Sequence, residues 1–133
     1  MVDSWAWVEI LKLSAAGKKA KAQLEEAIDA FTPSIVLAEL ARKYLREGVD
    51  PGVIAAWLRG ISEATEIYPI DIELSVVAAK CATELSTKAH WGRTGGPGLG
   101  DAFVLATARV VGARVITGDP HFRGLDETIW LGD

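Results

Sequence analysis

The sequence predicts an α/β protein, a three-layer α/β/α sandwich around a mainly parallel sheet, and three observations carry that reading. Segments with helical apolar spacing alternate with short strand-like runs. Helix-start pairs (Thr32-Pro33, Asp50-Pro51) and helix-stop glycines (Gly48, Gly112) mark where one gives way to the next. Acidic residues stand where strands end and helices open, which in an open α/β sheet is the edge over which ligands gather. Helices lying between strands imply a parallel sheet covered on both faces.

Met1-Val2-Asp3 reads as the stub of a strand. Trp5 to Leu13 carries apolar residues at helical spacing (Trp7, Ile10, Leu11), and Lys18 to Ala30 is a second, more polar helix. Phe31 ends a short strand. Thr32 then fits an N-cap with Pro33 in the first turn, opening a helix to about Arg46 that Gly48 stops. Asp50-Pro51 repeats the start signal for a helix through Leu58 and Ile61. Ile67 to Ile70 is a strand with Pro69 near its end, and Asp71 caps a helix whose stripe is Leu74, Val77, Ala78, Cys81 and Leu85. His90 to Gly100 holds five glycines and a proline, so it is expected as a loop. Asp101 to Val111 has few polar positions and must be largely buried. Gly112 ends it, Arg114 to Thr117 is a strand, Gly118-Asp119-Pro120 a turn, and Thr128 to Leu131 the final strand.

At 133 residues the chain has room for one domain with a core, residues 1–133, and not for two. Half of it is hydrophobic, and no apolar run approaches the length of a membrane span or forms an export signal, so a cytoplasmic protein with no membrane partner is expected. Cys81, the lone cysteine, sits on an apolar helical stripe and reads as a small buried hydrophobe. The formal net charge of −4 argues against coating nucleic acid by bulk electrostatics. From Lys80 to Arg123, however, six cations stand against three anions, a balance that suits a phosphate backbone as well as solvated helix faces.

Four acids stand at the joints: Asp3, Glu39, Asp101 and Asp119. Four carboxylates at one point raise one another's pKa and call for a counter-charge, for which a hard divalent cation with oxygen ligands is suited. Such an ion points to phosphodiester hydrolysis. Each acid alone has a plainer reading. Asp3 and Asp101 could cap helices, and Asp119 suits a Gly-Asp-Pro turn. Glu39 lies opposite the stripe Val36, Leu37, Leu40, Ala41, Tyr44 and Leu45, where an exposed pair with Arg42 or Lys43 would contribute about 0.3–0.5 kcal/mol.

Taken together, the four segments resemble the PIN-domain nucleases, and within them the VapC toxins of toxin–antitoxin pairs. The matching pieces are Asp3-Ser4 after the first strand and Glu39 within Pro33-Ser34-Ile35-Val36-Leu37-Ala38-Glu39-Leu40. Asp101 opens the run Asp101-Ala102-Phe103-Val104-Leu105-Ala106-Thr107-Ala108, and a Thr-x-Asp-x-x-Phe motif follows as Thr117-Gly118-Asp119-Pro120-His121-Phe122. The last two are the specific ones. Members carry several apolar residues before the first Asp, where this chain has Met1 and Val2 alone, so either that strand is short or the chain starts downstream of the natural beginning.

The resemblance implies a Mg²⁺- or Mn²⁺-dependent ribonuclease with the four acids as catalytic metal ligands and the hydroxyls of Ser4 and Thr117 orienting them. It implies hydrolysis that leaves a 5′-phosphate on the downstream fragment. Arg42, Lys43, Arg93 and Arg123 are expected beside the cleft, on RNA phosphates. Trp91 suits either stacking on a base or packing at an interface, and His90 and His121 read as ordinary surface histidines. A small antitoxin, disordered alone, could place an Arg at the acids in the metal's stead. Trp5, Trp7 and Trp57 exceed what a small domain readily buries, so a homodimer is expected.

Other phosphate chemistries fit less well. A haloacid-dehalogenase-type phosphoaspartate enzyme needs a second Asp where Trp5 stands, and a receiver domain needs an acid pair and a lysine after its last strand. The glycine run from Gly95 to Gly100 lacks the strand and lysine of a nucleotide loop. Two alternatives stay open: an RNA-processing PIN nuclease without an antitoxin, and a PIN fold used as a non-catalytic binding module.

Overall fold

A computed structural model of the chain, describing residues 1–87 and 97–133, builds its sheet around the first three residues. The Val2 amide donates to the Phe31 carbonyl at 2.9 Å on one side. On the other, Ile116 donates to Met1 at 2.8 Å, and Val2 forms a parallel bridge to Ile116. This stub therefore joins two parallel pairs. Strands β1 (Phe31–Pro33) and β2 (Glu66–Tyr68) pair with Thr32 opposite Ile67. Strands β3 (Val115–Thr117) and β4 (Thr128–Trp130) pair with Ile116 opposite Ile129. The order across the layer is β2, β1, residues 1–3, β3, β4.

Among the described residues, six α-helices flank these strands: α1 (Ser4–Leu11), α2 (Ala15–Glu26), α3 (Ser34–Arg46), α4 (Pro51–Ala64), α5 (Ile72–Thr87) and α6 (Leu99–Val111). The result is the α/β sandwich that the alternation predicts. The middle of α6 is deeply buried, with every residue from Ala102 to Ala108 in the core. The one hydroxyl in that run, Thr107, donates to the Phe103 carbonyl at 2.6 Å, so it enters the core satisfied. Val2, Val36, Leu40, Leu105 and Phe122 fill the centre, each with at most 1% of its surface exposed. Burying a side chain of that size stabilises by about 1.5–3 kcal/mol. Cys81 is buried in the same cluster, as its stripe predicts.

The helix ends follow local chemistry, with differences from the sequence reading. Asp50 accepts from Gly52 N–H with Pro51 at the first helical position, and Asp71 accepts from Leu74 N–H. Gly48 and Gly112 take the left-handed conformation just past α3 and α6 (φ +82° and +69°), which only glycine adopts without strain. Thr32 is no N-cap. It belongs to β1, the cap position falls to Pro33, and the Thr32 hydroxyl lies 2.7 Å from that of Thr65 and accepts from Trp7 Nε1 at 3.1 Å. A buried indole N–H demands an acceptor, and that demand outweighs the capping preference. Ser14 supplies the cap that the sequence reading missed, accepting from Gly17 N–H and starting α2 three residues before Lys18. Leu45, expected on the apolar stripe, is 58% exposed, since Tyr44 beside it takes the contact by stacking edge-on against Trp57. The expected loop at 90–100 ends earlier, because α6 begins at Leu99; its residues 90–96 lie outside the described residues.

Helices α1 and α2 meet at Gly17, where an added Cβ would strike the Glu9 carbonyl. Alanine in place of a helical glycine ordinarily gains up to about 1 kcal/mol. Gly17→Ala is expected instead to cost about 1–3 kcal/mol by overpacking, measured as a lower midpoint in urea. An unchanged or raised midpoint would contradict this close packing.

Candidate functional site

The central stub carries Asp3 to the end of the sheet, where it also starts α1. Its Oδ1 accepts from the Ser4 amide at 2.8 Å, and its Oδ2 accepts from the Thr117 hydroxyl at 2.7 Å. Both the capping role and the site role are thus built into one side chain, which is 1% exposed. The Ser4 hydroxyl stands 3.5 Å from Oδ1, at the limit of a hydrogen bond, so the Ser4 amide rather than its hydroxyl orients the carboxylate. Thr117 does orient it, and its hydroxyl also accepts from the Asp119 amide at 3.0 Å. One hydroxyl therefore ties the first acid to the last.

Asp119 leads a short 3₁₀ turn, Pro120–Phe122, and its Oδ1 accepts from His121 N–H at 2.9 Å. The turn is pinned by Phe122, which is fully buried. Asp101 is not at the head of its helix but in the first turn of α6, two residues after Leu99. From there its Oδ2 meets His121 Nδ1 at 2.7 Å, while the same ring nitrogen lies 3.3 Å from Asp119 Oδ1. His121 is thus no ordinary surface histidine. Its placement two residues after Asp119 was the available signal, since a turn of that length folds a side chain back over the residue that starts it.

Glu39 reaches the cluster from α3. Neither of its expected partners binds it: Lys43 pairs with Glu47 at 3.1 Å, and no ion pair joins Glu39 to Arg42 among the described residues. Its carboxylate instead leans on α6, where a Cβ at Gly100 would come within 2.7 Å of Oε2. Oε1 is buried and has no hydrogen-bond partner among the described residues. Leaving such an atom unsatisfied costs more than a typical hydrogen bond contributes, so its placement asks for a cation.

Charge completes the picture. Burial is the main cause that pushes Asp3 up to about 7; the Thr117 hydrogen bond opposes it, and the charges of Asp101, Asp119 and Glu39 add to it. Glu39 is also pushed up to about 7, by burial first and Asp101 next, with Arg42 opposing. Asp101 is raised by burial and by Asp119, and eased by the hydrogen bond from His121. Each of these three is perturbed by another acid of the set, so the fold brings together all four residues that the sequence singled out. All-oxygen donors, an orphaned carboxylate oxygen and a glycine that lets Glu39 approach together fit a hard divalent cation.

Two adjoining hollows share Glu39, Arg42 and Asp119 in their walls. One continues past Ser4 and Trp5 to Lys43 and Arg46, and the other past Gly98, Asp101 and His121. Among the described residues, the Arg and Lys side chains lining these hollows come from α3. In the basic C-terminal third, two of the described cations have partners within the fold: Arg109 is held by Glu84 and Glu127, at 2.6 and 2.9 Å, and Arg114 donates to the Thr128 carbonyl. Arg123 lies over the Trp130 ring at 5.5 Å. Lys88, His90, Trp91 and Arg93 lie outside the described residues.

Solved structures share this fold. A toxin–antitoxin complex from Klebsiella pneumoniae aligns with TM-score 0.72 and 16% identity, over 99% of this chain and 97% of that one. VapBC2 from Rickettsia felis, bound to a DNA fragment from its promoter, aligns with TM-score 0.68 and 19% identity, over 98% of this chain and 95% of that one. No curated protein sequence matches. The PIN domain family matches residues 1–128, so that the chain, with its carboxylates at the end of a parallel sheet, belongs to the PIN domain family.

Proposed function

We propose that this protein is a Mg²⁺- or Mn²⁺-dependent endoribonuclease and the toxin of a toxin–antitoxin pair, acting in the cytoplasm as a single domain. The observation that carries the proposal is the buried Oε1 of Glu39, without a hydrogen-bond partner among the described residues, on a carboxylate whose pKa Asp101 and Asp119 help to raise. In this reading Asp3, Glu39, Asp101 and Asp119 hold the ion. Bound there, a divalent cation makes hydroxide available at neutral pH and neutralises charge on the phosphate. Thr117 fixes Asp3 and the Asp119 amide, and Gly100 leaves room for Glu39. Arg42, exposed on the same wall, draws the RNA backbone toward the acids, and Lys43 and Arg46 continue the track.

The solved relatives of similar fold are toxin–antitoxin complexes, which supports an antitoxin partner here. A partner segment carrying an Arg suits the acids, with apolar groups beside α3. We also carry a homodimer as part of the proposal, on different grounds from the tryptophan content. Trp7 is buried, Trp5 packs over Gly118 and Trp57 stacks on Tyr44, so none of the three is surplus. An exposed apolar strip, Ile70, Ile72 and Val76 at the start of α5, is one surface that suits a second copy.

The raised carboxylates give a pH test. For Asp3 the ordinary value is 3.8 and the folded value about 7. Between those values the folded state binds more protons than the unfolded chain, so its contribution to metal-free stability falls as pH rises. Asp3→Asn, which keeps a capping side chain, should be more stable than wild type without metal at pH 8, by on the order of 1 kcal/mol. The difference should vanish near pH 4. A variant less stable than wild type at pH 8 would mean that Asp3 serves as a helix cap and not as part of a strained cluster.

Induction in a host lacking the cognate partner tests the function. Growth arrest is expected, lost in Asp101→Asn and relieved by the neighbouring gene product. Normal growth, together with metal-dependent cleavage of structured RNA in vitro, would move the assignment to RNA processing. Absence of cleavage under any divalent metal would favour a binding module.

A further inference from the structure

His121 has a place in the acid cluster that a pairing with Asp101 alone does not account for. Its Nδ1, a carboxylate oxygen of Asp101 and a carboxylate oxygen of Asp119 all lie within 4.8 Å of one another. The nitrogen stands 2.7 Å from Asp101 Oδ2 and 3.3 Å from Asp119 Oδ1. Donor atoms bound to one ion at about 2.0–2.2 Å and at right angles lie about 3 Å apart, so these separations match the edges of a coordination shell.

The ring is also held there. Pro120 precedes His121, fully buried Phe122 follows it, and the His121 amide donates to Asp119 Oδ1 at 2.9 Å. The Phe122 carbonyl accepts from the Thr128 hydroxyl at 2.8 Å and from the Leu125 amide at 3.2 Å, which anchors the far end of the turn to β4. The His121 side chain keeps 25% of its surface exposed, so the ring reaches the cleft without being sealed from an incoming ion.

We propose that His121 is itself a metal ligand, its Nδ1 completing with Asp101 and Asp119 a mixed nitrogen–oxygen face of the ion site. The proposal rests on the carboxylate metal site argued above and adds a residue to it. An imidazole nitrogen is a borderline donor that suits transition ions, whereas Mg²⁺ keeps to oxygen and gives up its waters reluctantly. The site should therefore discriminate in favour of Mn²⁺ by more than four carboxylates would. The neutral ring that binds through Nδ1 carries its proton on Nε2.

Pulsed electron paramagnetic resonance of the Mn²⁺-loaded full chain reads the bond directly, without activity. A strong coupling to one histidine nitrogen is expected, shifting on ¹⁵N-histidine labelling and absent in His121→Ala. Calorimetry on the same variant should show Mn²⁺ affinity reduced at least about tenfold and Mg²⁺ affinity reduced less. Mn²⁺ bound without histidine coupling, or with a coupling that survives in His121→Ala, would overturn the proposal. Asp101→Asn separates the two readings. If Mn²⁺ binding weakens there while the wild-type spectrum shows no histidine coupling, His121 alone is removed from the site. If Asp101→Asn binds Mn²⁺ as wild type does, the carboxylate site itself fails. The wild-type spectrum decides whether a histidine is bound at all, and loss of the coupling in His121→Ala with retention in His90→Ala assigns it to His121.

Discussion

The structure depends on a buried carboxylate, Asp3, held at the end of the central strand by the Ser4 amide and the Thr117 hydroxyl. Val2 bridges the two halves of the sheet, and Asp3 follows it at the point where the strand gives way to α1. Thr117, from β3, donates to Asp3 and accepts from Asp119. Sheet register and acid placement are therefore one constraint: a shift of β3 relative to residues 1–3 would break the link to Asp3 and move Asp119 with it. Helix α6 has the same double effect, since its buried middle fills the core from Ala102 to Ala108 and its first turn presents Asp101.

Local folding signals and site chemistry share residues here rather than compete for them. Asp3 caps α1, Asp119 caps the Pro120–Phe122 turn, and Asp101 accepts within the first turn of α6 from Gly98. Each carboxylate is steadied by N–H or O–H donors, which are worth most to a charged acceptor. Glu39 is the exception. It has no cap to serve and an oxygen with nothing to accept from among the described residues, so the strain of gathering the acids falls most plainly on it. A cation relieves Glu39 and the repulsion among the other acids at once, which is why folding and metal loading are coupled in this account.

How much of this was legible in the sequence varied with the range of the interaction. Caps at Asp50 and Asp71 and stops at Gly48 and Gly112 depend on neighbours within one turn, and they could be read directly. The burial of α6 followed from its lack of polar positions. Thr32 misled because its fate is decided by Trp7 and Thr65, which lie far away in sequence. The fate of Arg109, one of the cations from Lys80 to Arg123, is likewise decided at long range, as Glu84 and Glu127 take it up. The joint placement of the acids was legible as a pattern. The orphaned oxygen of Glu39, the clearance at Gly100 and the position of the His121 ring emerge only when α3, α6 and the 3₁₀ turn converge.

The central claim is that these carboxylates surround one ion, and the location of that ion tests it most directly. Anomalous difference density from a crystal of this protein soaked in Mn²⁺ should give a peak within coordination distance, about 2.0–2.6 Å, of carboxylate oxygens from Asp3, Glu39, Asp101 and Asp119, directly or through one water. A fully occupied peak elsewhere on the molecule, or none at saturating Mn²⁺, would contradict the account.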